Sequence, residues 1–147
     1  MIQSAGHSVF QWYEDWFTTN LIYARWAQRR GLTDTTLFIL WVIEKYPDSC
    51  TLRLICEKLS LPKQTAASAL NGLERRGYLR RIPHPRDKRN KLIRFTPEGR
   101  EYAEPLLRPV EEAEKRAFLR MEPSVREKMI EGYHQLTILL EEELNRE

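Results

Sequence analysis

The stretch from Thr51 to Thr96 constrains the fold more than any other part of this 147-residue sequence. Its first half predicts two short helices: Thr51 is a favourable N-cap for the first, and the second begins near Pro62 and ends at Gly77. Apolar residues recur in both segments every three or four positions, the period of a helix with one buried face. They are Leu52, Ile55, Cys56 and Leu59 in the first segment and Ala66, Ala69, Leu70 and Leu73 in the second. Because a short turn at 60–61 separates the segments, the pattern predicts a helix-turn-helix.

Two β-prone runs follow the second helix, at Tyr78–Ile82 and Lys91–Phe95. The segment His84–Asn90 between them is too polar for any core, so it predicts the exposed tip of a β-hairpin. Ser49–Thr51, just before the first helix, is predicted to add a short strand beside this hairpin. Helix, turn, helix and hairpin in this order predict a mainly α winged helix-turn-helix with a small β-hairpin wing.

Positive charge is concentrated in the same stretch of the chain. Residues 60–94 contain ten basic and two acidic residues, whereas the whole chain has a net charge of only +3. Residues 1–59 are neutral overall, and residues 95–147 carry a net charge of −5. A helix with a polar outer face beside a basic hairpin suits a DNA duplex, with the helix in the major groove and the hairpin along the backbone.

The predicted DNA-binding residues lie on the outer face of the second helix and at the hairpin tip. Gln and Asn amides can pair with adenine edges, Ser and Thr can reach bases or phosphates, and Lys and Arg bind phosphates. The set is Lys63, Gln64, Thr65, Ser68, Asn71, Arg75, Arg86, Lys88 and Arg89. Each basic residue alone is an ordinary surface residue, so the clustering is what favours DNA. Asp87 is predicted to stabilise the tip through an ion pair with Arg86 or Arg89.

Three motifs in this stretch resemble the winged helix-turn-helix of the multiple-antibiotic-resistance-regulator (MarR) family. They are Leu73-x-x-x-Gly77 at the end of the second helix, Asp87-x-Arg89 in the wing, and Thr96-Pro97-Glu98-Gly99 at the start of the next helix. The resemblance covers the flanking helices as well, and hence nearly the whole chain. It implies a dimeric, DNA-binding transcriptional regulator, more often a repressor than an activator, that a small molecule often releases from DNA. It also implies that Arg89 is the arginine that enters the minor groove.

A long helix is predicted before this stretch, from Ser8, which would form a capping box with Gln11, to Arg30, with Gly31 as its stop. It has two apolar stripes where a surface helix needs one. The stripes are Phe10, Tyr13, Phe17, Leu21 and Ala24, and Val9, Trp12, Trp16, Tyr23 and Trp26. Three explanations remain open: a partner subunit covers the second stripe, the helix is buried within its own chain, or the Trp residues line a ligand cavity. A second helix is predicted from Thr33 or Asp34 to Tyr46, with buried Leu37, Phe38, Leu40, Trp41 and Ile43.

Two further helices are predicted after the wing. The first begins at Thr96 and contains Pro105 and Pro109, each of which should bend or interrupt it. The second begins at Pro123 and carries a near-heptad apolar stripe, which is typical of helix–helix association. The stripe consists of Val125, Met129, Tyr133, Leu136, Leu140 and Leu144. We therefore expect residues 1–32 and 97–147 to form a helical dimerisation region and residues 33–96 to form the DNA-binding lobe.

The motifs favour a protein without a cofactor and without catalytic or metal-binding residues. The sequence has no nucleophile elbow, no Gly-rich phosphate loop and no closely spaced metal ligands. It also has no apolar run of about 20 residues and no visible signal peptide, so we expect a cytoplasmic protein that does not bind membranes. Its cysteines should be reduced, with Cys56 at a buried position and Cys50 more accessible.

These expectations define a sequence-specific, double-stranded-DNA-binding transcriptional regulator, a repressor that a small aromatic or apolar effector modulates. It would bind a pseudo-palindromic operator as a homodimer. The alternative is a winged-helix protein-interaction module that does not bind DNA. A small enzyme would need a constellation of residues that the sequence does not contain.

Overall fold

The computed structural model describes residues 2–87 and 89–146, with side chains from residue 5 onward. Its elements are α1 (Ile2–Gln28), α2 (Asp34–Lys45), α3 (Leu52–Leu59), α4 (Lys63–Arg75), β1 (Leu79–Pro83), β2 (Lys91–Phe95), α5 (Pro97–Arg120) and α6 (Pro123–Leu144). The predicted fold class, a mainly α winged helix-turn-helix, is confirmed. The chain forms two compact units, residues 1–107 and 108–147, and α5 contributes to both.

Helices α2, α3 and α4 form the predicted helical part of the winged module. The Thr33 and Thr51 hydroxyls accept backbone N–H groups at 3.1 Å, so both residues are N-caps. The core that joins the helices is apolar and closed to solvent. Its largest fully buried side chains are Leu37, Ile39, Leu40, Val42, Ile43, Cys50, Ile55 and Leu70. Two residues predicted for this core are not fully buried: Trp41 is 38% exposed and Phe38 is half-buried, because α2 buries Ile39 and Val42 instead.

The wing is a two-stranded antiparallel ribbon in which Leu79 pairs with Phe95 and Pro83 pairs with Lys91. Strand β2 has its predicted limits, and β1 lies one residue further along the chain than predicted. The prediction of a short strand at Ser49–Thr51 is wrong. Only one backbone hydrogen bond joins this segment to the ribbon, from the Ile93 N–H to the Cys50 carbonyl at 2.8 Å, and one bond is too few for a strand.

The Thr96-Pro97-Glu98-Gly99 motif forms a joint between the end of α4, the start of β1 and the first turn of α5. The Thr96 hydroxyl donates to the Gly77 carbonyl and accepts the Gly99 N–H at 3.0 Å, and the Thr96 N–H donates to the Tyr78 carbonyl at 3.0 Å. A Cβ atom on Gly99 would lie 1.8 Å from the Tyr78 carbonyl oxygen, so only glycine permits this approach. The rings of Tyr78 and Tyr102 stack at 4.1 Å beside it. Gly77 has a φ of +77°, which explains why α4 stops there.

Helix α1 begins earlier than predicted. It starts at Ile2, so Ser8 lies inside the helix and the capping box with Gln11 is wrong. The residues before Ser8 include Gly6 but no proline, and glycine weakens a helix without ending it. The predicted stop at Gly31 is confirmed, since this residue has a φ of +74°.

The two prolines within α5 do not interrupt it, because Pro97–Arg120 is one helix. Pro105 lies on the exposed side of that helix. The last helix begins at Pro123 as predicted, and the Glu122 carboxylate caps it by accepting the Val125 N–H at 3.2 Å. The first residue of the second compact unit, Arg108, falls between the two prolines.

Large apolar side chains remain exposed on α1 and α6. In α1 they include Phe10 at 62%, Phe17 at 57% and Ile22 at 62% exposure. In α6 they are Val125, Met129, Ile130, Tyr133, Ile138, Leu139, Leu140 and Leu144. Six of the ten residues in the two predicted apolar stripes of α1 are therefore exposed, and the other four are half-buried.

The two cysteines have the opposite burial to that predicted. Cys50 is fully buried, and desolvation raises the pKa of its thiol to about 12. Cys56 is half-buried, because α3 turns only Ile55 fully into the core. Both thiols are free.

Candidate nucleic-acid interface

The outer face of α4 presents every helix residue that the sequence predicted for DNA contact. The buried side of α4 is apolar, with Ala66, Leu70 and Leu73 in the core, so the polar side chains are left on the opposite side. All six are exposed: Lys63, Gln64, Thr65, Ser68, Asn71 and Arg75. A helix fixed by its apolar side and polar on its outer face has the form that enters a major groove.

The tip of the wing is a turn held by two side chains. The His84 Nδ1 atom accepts the backbone N–H groups of Arg86 and Asp87, both at 3.1 Å. The Asp87 carboxylate accepts the Arg89 N–H at 2.9 Å and the Asn90 side-chain amide at 2.6 Å. The backbone hydrogen bond from Arg89, followed by the bond from Asn90, lowers the pKa of Asp87 below its ordinary value.

The role predicted for Asp87 is therefore only partly right. It stabilises the tip, but through backbone and amide hydrogen bonds, and no ion pair joins it to the guanidinium of Arg86 or Arg89. Both arginines are exposed, with no packing role at the tip. Lys88, the remaining predicted wing residue, lies outside the described residues.

The basic residues of this stretch fall into two groups. Arg81 and Arg94 are half-buried, and each is paired with an acid, Glu74 at 3.3 Å and Asp48 at 3.2 Å. Seven others are exposed and have no ion pair among the described side chains: Lys63, Arg75, Arg76, Arg80, Arg86, Arg89 and Lys91. The positive charge available to a ligand therefore comes from exposed side chains on α4 and the wing.

A cleft of about 590 Å³ lies between α3, the start of α4 and the base of the wing tip. Lys63 from α4 and Arg89 from the wing both line it. These two predicted DNA-binding residues are 26 positions apart in the sequence, and the fold brings them to the walls of one cleft.

Sequence reasoning missed one residue of this surface, Arg81. Its Nη2 atom donates to the Asn71 Oδ1 atom at 2.6 Å, and its Nε atom lies 3.3 Å from a Glu74 carboxylate oxygen. Arg81 is on β1 and its two partners are on α4, so no helical or strand period relates them. The two adjacent arginines at 80–81 were the only indication in the sequence, and the sequence does not show which of them is paired, as Arg81 is, and which is exposed, as Arg80 is.

Two observations bear on other classes of function. Within residues 2–87 and 89–146, no group of three or more His, Cys, Asp or Glu side chains is placed to hold a metal ion. None of the helices in this part of the chain is long and apolar enough to cross a membrane.

Comparisons with known proteins agree with this geometry. Residues 30–90 match the family model described as "MarR family". The structure is similar to NMB1585, a MarR family regulator from Neisseria meningitidis, with a TM-score of 0.80, 22% identity and coverage of 94% of this chain and 96% of that chain. It is similar to S. aureus MepR in a DNA complex, with a TM-score of 0.72, 18% identity and coverage of 89% and 96%. It is also similar to Streptococcus pneumoniae FabT in complex with DNA, with a TM-score of 0.67, 21% identity and coverage of 97% and 99%. No curated protein matches the chain in a sequence search.

The fold and the exposed polar face of α4 define a winged helix-turn-helix protein. The family model covers residues 30–90, and the solved structures are similar in fold over most of the chain. The helix-turn-helix part of the chain therefore resembles the MarR family, and the chain has the fold of the MarR family regulators to which it is similar.

Proposed function

We propose that this protein binds a specific double-stranded DNA operator through α4 and the wing and thereby represses transcription. The observation that carries the proposal is the charge distribution: α4, whose outer face is polar, and the wing carry seven exposed cations that have no acidic partner within the described residues. Exposed Lys and Arg bind phosphates and release counterions, which supplies most of the affinity for a duplex. The side chains between them, Gln64, Ser68 and Asn71, carry the amide and hydroxyl groups that read base edges.

The DNA-binding unit in this proposal is a homodimer. The exposed apolar faces of α1 and α6 are too extensive for a stable monomer and would be covered by a second copy of the chain. In this proposal residues 33–96 form the DNA-binding lobe, and residues 1–32 and 97–147 form the dimerisation region. A two-fold dimer presents two copies of α4 in opposite senses, so the operator is an inverted repeat with half-sites about 10 base pairs apart.

Selection from random duplexes tests the division between base-reading and phosphate-binding residues. Gln64 lies in the first turn of α4, where recognition helices meet base edges. Gln64→Ala is expected to relax the base preference at one position in each half-site, because a bidentate amide–base pair contributes about 1–3 kcal/mol of discrimination. The measurement is the consensus recovered by wild type and by the variant.

Lys63→Ala is the matched control for this experiment, since it changes the neighbouring exposed residue of the same helix turn. It should weaken binding to all duplexes alike and leave the recovered consensus unchanged. A consensus without two-fold symmetry, or a Gln64→Ala consensus identical to that of wild type, would contradict the assignment.

A second prediction concerns the wing. Arg89→Ala is expected to weaken operator binding without lowering the unfolding temperature, because the exposed tip residue has no packing role. Loss of one phosphate contact reduces the slope of log K against log salt by about 1, whereas loss of a groove contact weakens the operator more than random duplex. Titrations at several salt concentrations measure both effects.

The control for Arg89 is Arg116→Ala, which removes the same charge from an exposed position on α5. It should leave affinity and salt slope close to those of wild type. Equal behaviour of the Arg89 and Arg116 variants would remove the wing from the proposed interface.

A small aromatic or apolar effector is the proposed signal, and the family resemblance supports it. Trp12 and Trp16 stack at 5.9 Å on α1, and neighbouring Tyr13 and Phe17 extend this aromatic cluster. An effector bound between the dimer helices and the DNA-binding lobe would favour a spacing of the two α4 helices that does not fit the operator. Its site of action would be the cytoplasm, where DNA is accessible.

The alternative is a winged helix that binds another protein. The exposed, unpaired cations favour DNA over this alternative. Strong binding to duplex that falls steeply with salt distinguishes the two, because counterion release is specific to a polyelectrolyte.

A further inference from the structure

We propose that Arg81 determines base specificity by acting through Asn71. Arg81 holds the Asn71 carbonyl oxygen, so that Asn71 presents only its amide nitrogen to DNA. Asn71 then reads a hydrogen-bond acceptor on a base edge, so guanine O6 or N7 or thymine O4 is favoured over adenine, whose N6 amino group needs an acceptor. This inference rests on the proposed DNA-binding function and names the base chemistry of one of its contacts.

The guanidinium of Arg81 is fixed at two points on α4. Its Nη2 atom donates to Asn71 Oδ1 at 2.6 Å, and its Nε atom lies 3.3 Å from Glu74 Oε2. Asn71 and Glu74 are three residues apart on one helix, so their side chains are neighbours on its surface. The Arg81 and Glu74 side chains are 30% and 39% exposed, which limits competition from water.

The contact also defines which way the Asn71 amide faces. A guanidinium has five N–H donors and no acceptor, so the atom that Asn71 turns toward Arg81 must be the oxygen. The Asn71 nitrogen makes no hydrogen bond within the described residues and belongs to an exposed side chain. The nitrogen is therefore the group of Asn71 that is left for a base.

This arrangement disfavours adenine. Asparagine recognises adenine with both amide atoms: its nitrogen donates to N7, and its oxygen accepts from the N6 amino group. The oxygen of Asn71 already accepts a charged hydrogen bond, which is stronger than a neutral one. If the N6 amino group of adenine approached the second lone pair of the Asn71 oxygen, it would bring another hydrogen-bond donor close to the guanidinium of Arg81. Adenine N7 also accepts a hydrogen bond, but the adjacent N6 amino group of adenine then finds no free acceptor on Asn71. Guanine, in which both N7 and O6 accept, and thymine, through O4, need only the donor that the Asn71 nitrogen supplies.

Selection from random duplexes tests the inference with five proteins: wild type, Asn71→Ala, Arg81→Ala, Arg80→Ala and the double variant that combines Asn71→Ala with Arg81→Ala. The position that Asn71 faces is the one whose preference Asn71→Ala removes. Wild type is expected to select guanine or thymine there. Arg81→Ala frees the carbonyl oxygen, so the ratio of adenine to the wild-type base should rise about tenfold or more at that position.

Arg80→Ala is the matched control, because Arg80 is the adjacent residue of β1 and is exposed without an ion pair. It removes the same charge, and its consensus at the Asn71 position should equal that of wild type. The double variant that combines Asn71→Ala with Arg81→Ala should have the same base preference as Asn71→Ala alone, because Arg81 acts on base preference through Asn71.

A DNA-free measurement separates failure of this inference from failure of the proposed function. The side-chain amide resonance of Asn71, identified by its absence in Asn71→Ala, should shift in Arg81→Ala and not in Arg80→Ala. An unshifted resonance would overturn the contact. Wild-type selection of adenine, or an unchanged consensus in Arg81→Ala, would overturn the specificity role while leaving DNA binding intact. If the resonance shifts in Arg81→Ala but the wild-type protein retains no duplex, the proposed function is overturned, and the specificity role with it.

Discussion

Replacing Gly99 with alanine is expected to lower the free energy of unfolding by about 1–3 kcal/mol or more, the usual cost of overpacking a closed site. The added Cβ would lie 1.8 Å from the Tyr78 carbonyl oxygen, and the obstacle is backbone, so no side-chain rotation relieves it. Either α5 moves away from the base of the wing, or β1 shifts relative to α4. Equilibrium unfolding by denaturant measures the loss, at equal protein concentrations because a dimer's apparent stability depends on concentration.

The matched control is the same substitution at Gly72, inside α4. A Cβ atom there meets nothing within 4 Å, and the residue has no positive φ. Gly72→Ala should therefore raise the free energy of unfolding by about 1 kcal/mol, because alanine loses less backbone entropy in a helix. Opposite signs for the two variants would establish the close approach at Gly99. Equal effects would show that the joint tolerates a methyl group.

Replacing Phe17 with aspartate is expected to convert the protein from dimer to monomer at micromolar concentration. Phe17 is 57% exposed on α1, within an aromatic cluster that the proposed dimer covers. An unpaired carboxylate in a closed apolar interface costs several kcal/mol, and each 1.4 kcal/mol raises the dissociation constant tenfold. Because a two-fold dimer carries the substitution in both subunits, we expect the dissociation constant of the dimer to rise 100-fold or more. Sedimentation equilibrium measures it.

Thr18→Asp controls for the added charge, because Thr18 is the next residue of α1, exposed and already polar. This variant should remain a dimer. A wild-type monomer whose Trp12 and Trp16 resist quenching by solutes would mean that the helices cover each other within one chain. A Phe17→Asp dimer as stable as wild type would place the interface elsewhere.

The local structure of the winged module was predictable because its signals are local. Thr51 caps α3, Gly77 ends α4, and the β-prone run at 91–95 gives β2 its limits. Each of these depends on the backbone preference of one residue or on a period within one segment. The exposed polar face of α4 followed from the same periodicity, because the apolar residues of that helix determine which side faces outward.

Features that depend on contacts between distant segments were not predictable. Periodicity placed Trp41 and Cys56 in the core and left Cys50 accessible, but in the packed structure Trp41 is exposed, Cys56 is half-buried and Cys50 is fully buried. The Arg81–Asn71 contact joins a strand to a helix, and Asp87 bonds to a backbone N–H where an ion pair was expected. Charge and sequence proximity suggested that Asp87 pairs with a neighbouring arginine side chain, but the geometry of the turn gives it the Arg89 backbone N–H as its partner.

The surface positions of Gln64 and Ser68 have a consequence for how the proposed regulator would acquire new targets. Both side chains are exposed and make no hydrogen bond within the described residues, so exchanging them should not affect the core of the fold. Operator preference at the bases they face can therefore drift, or be redesigned, one residue at a time. Asn71 differs, because a new side chain there leaves Arg81 and Glu74 to find other partners. A retargeting library should vary positions 64 and 68 independently but positions 71 and 81 as a pair.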